Sequence, residues 1–233
     1  CKQAGNKNLC YSDAVERTFE RQGLSVAFDL VAATYDADPD YAATCHANMH
    51  DLGKAAYRQF HSTGGVALTE KTYYCGYGFY HGFIEALFAD SNNPEEPRQF
   101  CAYAGKAVTN PPKYAEGAGY HGIGHGVPDG TDPTVWGDAL KMAAPGLAAC
   151  ARVASSTQEW ERRCSTGVFN ALALMYREPK YRLDAGGNPF TLCESAALTD
   201  DERWACYTQM NTLASYLADR DLNVEVHFTD KIS

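Results

Sequence analysis

Seven histidines occur in the 233 residues, and five of them fall in three short stretches rich in small residues. These stretches run from Cys45 to Gly53 with His46 and His50, from Gly76 to Glu85 with His81, and from Gly119 to Gly126 with His121 and His125. In each, an imidazole is followed four positions later by a second imidazole or a carboxylate. On a helix that spacing points both side chains from one face. It is also how one helix gives two ligands to a metal ion. If the three stretches converge, His46, His50, His81, His121 and His125 supply imidazoles suited to zinc, copper or iron. Glu85 then serves as a further ligand, or as a general base beside an activated water.

The competing reading is structural. Histidines wedged between closely packed helices can bond to carbonyls and fix register as buried polar groups. His61 and His227 stand apart and read as surface residues. No His-Glu-x-x-His occurs, which removes the zinc-protease signature, and no Cys-x-x-Cys-His, which removes covalent haem. The glycines of 119–126 lack the dinucleotide spacing, so this stretch reads as a glycine-rich loop without a phosphate-binding role. Tyrosines and phenylalanines crowd 73–83. Phe79 and Phe83 read as core, while the tyrosines read as core or as walls of a ligand pocket. A Cys–His nucleophile at Cys45 and His46 is disfavoured, because adjacent helical residues diverge and an oxidised cysteine has no thiolate.

Nine cysteines lie singly at 1, 10, 45, 75, 101, 150, 164, 193 and 206, with no Cys-x-x-Cys pair. Dispersed single cysteines fit disulfides and an oxidising compartment better than a metal-thiolate site. Cys150 and Cys164, like Cys193 and Cys206, straddle a helix start, so an antiparallel helical hairpin brings each pair together. Cys75 with Cys101 and Cys10 with Cys45 complete the expected set. Cys1 is then left over as a candidate for lipid attachment at a mature amino terminus, or as a partner for Cys10.

Helix starts are marked by Asp38-Pro39, Asn93-Pro94, Asp132-Pro133 and Asn188-Pro189, where a short polar cap precedes a proline. Ser156 with Glu159 and Thr199 with Glu202 have the capping-box spacing. Apolar residues recurring at three and four predict helices near 12–35, 39–60, 72–90, 94–108, 133–153, 157–177 and 199–219. Residues 223–228 alternate like a single strand. The expected class is all-α: stacked helical hairpins, repeat-like or α/α-toroid-like, cross-linked by disulfides. Cysteine- or histidine-led helices at 45, 75, 121, 164 and 206, spaced 30 to 46 residues apart, suit such a stack. This architecture resembles disulfide-clamped helical repeats of the Sel1-like kind, or an α/α-toroid, and the resemblance implies a fold only. The glycine-rich turns carrying histidine resemble, a few residues at a time, those of the lanthipeptide-cyclase toroids, where His and Cys surround a zinc.

With 45% hydrophobic and 21% charged residues, the composition is that of a globular protein. A formal charge of −9 and the lack of a Lys/Arg cluster argue against nucleic acid. No apolar run is long enough to span a membrane. The organisation expected is a His-rich part, 1–132, followed by disulfide-stapled hairpins, 133–233, within one continuous domain. The function expected is metal binding outside the reducing cytoplasm: extracellular, periplasmic or at the cell surface. A metal-dependent enzyme acting on a small-molecule or peptide ligand is one form of it. The alternative is a disulfide-stabilised interaction module with structural histidines.

Overall fold

The computed structural model describes residues 1, 4–91, 95–107, 115–129, 131–154 and 157–218. All regular elements among them are helical, and the chain forms two compact units, residues 1–122 and 123–233.

The first unit contains α1 (Lys7–Gln22), α2 (Leu24–Ala37), α3 (Pro39–Thr44), α4 (His46–Thr63), a 3₁₀ turn (Glu70–Tyr73), α5 (Gly78–Ser91), α6 (Glu95–Ala107) and the start of α7 (Ala115–Asp129). Asn6 caps α1 by accepting from Leu9 N–H. Asp38 caps α3 by accepting from Asp40 N–H, with Pro39 at the first helical position. Gly23 breaks the expected 12–35 helix with φ 86°, a backbone conformation open mainly to glycine.

α5 is the centre of this unit. Every residue from Gly78 to Ile84 is buried, so the first two turns of the helix are enclosed on all sides and show no amphipathic stripe. One side packs on α4, the most extensive helix pair among the described elements. Another places Phe83 on Phe100 of α6 with ring centroids 4.0 Å apart. Phe79 and Phe83 are fully buried core residues, as their sequence context suggested. Burying each stabilises the fold by about 1.5–3 kcal/mol.

The second unit holds the rest of α7, then α8 (Ala139–Val153), α9 (Gln158–Met175), α10 (Asp200–Leu217) and three short 3₁₀ turns. α9 packs on both α8 and α10. Thr199 and Glu202 form the expected capping box at the start of α10. Asp132 caps only a 3₁₀ turn, Pro133–Val135, and α8 begins later, after Asp138. Asn188 accepts from Phe190 N–H in a turn and starts no α-helix. The cap at Asn93, the box at Ser156, His227 and the strand at 223–228 lie outside the described residues.

Four disulfides cross-link the chain. Cys150–Cys164 and Cys193–Cys206 form as the hairpin argument expected. The other two differ: Cys10 bonds to Cys1 and Cys45 to Cys75, so the pairings Cys10–Cys45 and Cys75–Cys101 are not made. The reason is local. Residues 72–90 are not one helix, because the chain turns at Cys75, Gly76 and Tyr77, all with positive φ, before α5 starts. That turn brings Cys75 to the start of α4, where Cys45 sits. Cys101 is fully buried outside all four bridges.

The glycine-rich stretch 119–126 is a further correction, because it is helix within α7. A Cβ at Gly119 would stand 2.3 Å from Cys101 Sγ, and one at Gly124 would stand 1.9 Å from the Cys164 carbonyl oxygen. The glycines serve close packing of the helix rather than a turn.

Candidate metal centre

Two glycines set the distance between the helices that carry the first three histidines. A Cβ on Gly78 would lie 2.5 Å from the His46 carbonyl oxygen, and one on Gly82 would lie 1.9 Å from that of His50. Gly53 of α4 meets the Phe79 carbonyl of α5 in the same way, at 2.2 Å. The two backbones touch where any side chain would force them apart. His81, between the two α5 glycines, is thereby brought beside the His46 and His50 pair.

The donor atoms of His46, His50 and His81 all lie within 4.8 Å of one another. Ring centroids are 4.8 Å apart for His46 and His50, 5.2 Å for His46 and His81, and 5.3 Å for His50 and His81. His121 of α7 lies beside His81, with ring centroids 5.0 Å apart. His81 is buried, while His46, His50 and His121 are partly exposed, so the cluster has a closed floor and a side open to solvent. His125 follows His121 by one turn on α7, is buried, and belongs to the second unit. His61 is exposed and 3.5 Å from Asp90, a surface residue as its isolation suggested.

The groups around the rings decide which nitrogens face inward. His46 Nδ1 is 2.8 Å from the carbonyl oxygen of Cys75, which can only accept, so Nδ1 carries the proton and donates. His50 Nδ1 hydrogen-bonds Glu85 Oε2 at 3.4 Å, with Oε1 at 3.2 Å, and the carboxylate likewise accepts. With both Nδ1 atoms as donors, the two neutral rings present Nε2 lone pairs, and these atoms face each other at 3.1 Å. Two lone pairs at that distance repel. A positive centre between them, a shared proton or a metal ion, turns the repulsion into attraction.

Glu85 is also held by Lys54, whose Nζ lies 3.0 Å from Oε2. A carboxylate or carbonyl on the outer nitrogen of each ring is the arrangement that orients metal-binding imidazoles in general. The Cys75 carbonyl and Lys54 were not found by sequence reasoning, and the glycines at 53, 78 and 82 lie in the histidine motifs without their packing role being read there. Glycines spaced four apart, set beside histidines at the same spacing, are the signal that could have located the α4–α5 contact.

No family model, curated protein or solved structure matches this chain.

Proposed function

We propose that the chain binds one transition-metal ion in the pocket formed by His46, His50 and His81. The observation that carries this reading is the 3.1 Å approach of two Nε2 atoms whose outer nitrogens are both tied to acceptors. Two zinc–nitrogen bonds of about 2.0–2.1 Å at the tetrahedral angle separate their nitrogens by about 3.3 Å, close to that approach. His121 is the further imidazole donor of the proposal. Zinc and copper suit an all-imidazole set best, and iron is the third choice. Glu85, a ligand or general base in the sequence reading, is given a positioning role on His50 in this proposal.

Four disulfides favour an oxidising environment, and no helix among the described residues is long and apolar enough to cross a membrane. We place the protein in the periplasm, outside the cell or at its surface. There an imidazole site holds its ion without thiolates, which this chain has largely consumed in bridges. A metal ion with a coordination position open toward solvent would polarise a carbonyl or lower the pKa of a bound water, for a small-molecule or peptide substrate.

A second reading, an interaction surface in the carboxyl-terminal half, is favoured by two exposed aromatics on α10. Trp204 is 49% and Tyr216 51% exposed, each covered by an arginine of α9 or the turn after it, Arg162 and Arg177. The readings separate on metal content. Protein purified without chelator is assayed for bound metal, then titrated with zinc and with copper, alongside His46→Ala and His121→Ala. About one equivalent bound by the wild type, with His46→Ala weakened at least about tenfold and its helicity kept, supports the metal reading. No metal above trace and no uptake of either ion would remove it and leave the interaction surface.

A further inference from the structure

We propose that the Cys45–Cys75 bridge and the left-handed turn Cys75-Gly76-Tyr77 form the positioning element of the imidazole pocket, fixing which nitrogen of His46 faces inward. The purpose of this element rests on the metal reading, but its geometry does not.

The turn is unusual among the described residues. Only three non-glycine residues have positive φ, and two of them, Cys75 at 58° and Tyr77 at 64°, flank Gly76 at 63°. Side-chain-bearing residues avoid this region because Cβ crowds the following carbonyl, so such a run persists only where the surroundings over-determine it. Two constraints do so here. The bridge joins Cys75 to Cys45, the residue before His46, and both cysteines are buried. On the other side Gly78, the first residue of α5, is seated on the His46 carbonyl, where a Cβ would come within 2.5 Å. The chain is thus pinned to the start of α4 at both ends of a four-residue turn.

The consequence is the hydrogen bond from His46 Nδ1 to the Cys75 carbonyl, 2.8 Å long. With ordinary negative φ at Cys75 the chain would leave α4 in another direction and the carbonyl would be lost to His46. Without an acceptor on Nδ1 the ring is free to protonate at Nε2, the nitrogen that faces His50. A neutral imidazole protonated there cannot donate its lone pair to an ion from that atom. A disulfide thirty residues in span therefore does more than shorten the unfolded chain: it selects a tautomer.

The test compares a Cys45→Ser/Cys75→Ser double variant with a control, Cys193→Ser/Cys206→Ser, which removes a bridge from the second unit. Two quantities are read. The first is the tautomer of His46 in metal-free protein, from ¹⁵N chemical shifts at mildly alkaline pH. The second is the zinc dissociation constant. In the wild type His46 is expected in the Nδ1–H form, and finding the Nε2–H form there overturns the proposal without any variant. Removal of the 45–75 bridge is expected to mix the tautomers and weaken zinc binding by about 10–100-fold. The control is expected to lower the melting temperature and leave both quantities unchanged. A 45–75 variant that keeps tautomer and affinity, at whatever melting temperature, shows a staple and nothing more. Should the wild type take up no zinc, the proposed function falls, while the tautomer comparison still decides the positioning role.

Discussion

Glu85 is shared by two proton-donating partners, His50 Nδ1, which hydrogen-bonds Oε2 with Oε1 also near, and Lys54 Nζ, which meets Oε2 as well. Its carboxylate is mostly sheltered, and in the proposal it acts on the pocket through the His50 imidazole. Glu85→Ala is therefore expected to weaken zinc binding by about 10–100-fold, with Glu85→Gln recovering part of the loss because the amide oxygen still accepts from Nδ1–H. Calorimetric titration measures this, and Glu85→Ala binding as tightly as the wild type would contradict the positioning role. The direct part read for Glu85 in the sequence rests on its spacing from His81, that of a ligand pair on α5. The neighbours that draw its oxygens toward α4, His50 and Lys54, are visible only once the helices are packed.

Contact between α4 and α5 depends on atoms that are missing. Gly82→Ala would put a Cβ 1.9 Å from the His50 carbonyl oxygen, so the helices must separate. Overpacking of this kind costs about 1–3 kcal/mol, and it should also spread the three imidazoles and weaken metal binding. Gly65→Ala, with nothing within 4 Å of the added Cβ, is the matched control, expected to change stability by less than about 0.5 kcal/mol. Thermal melting and zinc titration of both variants check this, and a Gly82→Ala protein equal to the control would contradict it. Helices with strong end signals, such as those capped by Asp38 and Thr199, were legible in the sequence. α7 was not, since each glycine in a helix costs about 1 kcal/mol relative to alanine and residues 119–126 carry four. Tertiary packing reverses that preference: Gly119 fits against Cys101, and Gly122 against Tyr80 and His81. The interruption at 75–77 was hidden for the opposite reason, because Cys75 and Tyr77 have no intrinsic liking for the left-handed region.

Across the chain, cross-links and buried phenols set the conditions the protein tolerates. The hairpin bridge Cys150–Cys164, with a sequence separation of 14, should contribute about 3 kcal/mol through loop closure. Short hairpin bridges follow from spacing alone, whereas Cys1–Cys10 and Cys45–Cys75 depend on how the chain enters α1 and α5. Burial raises Tyr41 to about 12, and burial, then the hydrogen bond to Asp90, raises Tyr57 to about 12, from an ordinary 10.0. Burial also raises Tyr80. Since the folded state holds these protons more tightly than the unfolded one, the associated stability is intact below the ordinary value of 10.0 and is lost as pH rises toward about 12. Melting temperature should fall across that interval, followed alongside tyrosinate absorbance. A flat melting temperature there, or folded-state ionisation of all tyrosines near the ordinary value, would contradict the burial argument.

Anomalous diffraction from crystals of the zinc-loaded protein tests the metal pocket most directly. A single strong peak is expected between α4 and α5, about 2.0–2.1 Å from Nε2 of both His46 and His50, with His81 as the next nitrogen ligand. A peak bound elsewhere, or none between those two nitrogens in protein exposed to excess zinc, would mean that a shared proton is what joins them.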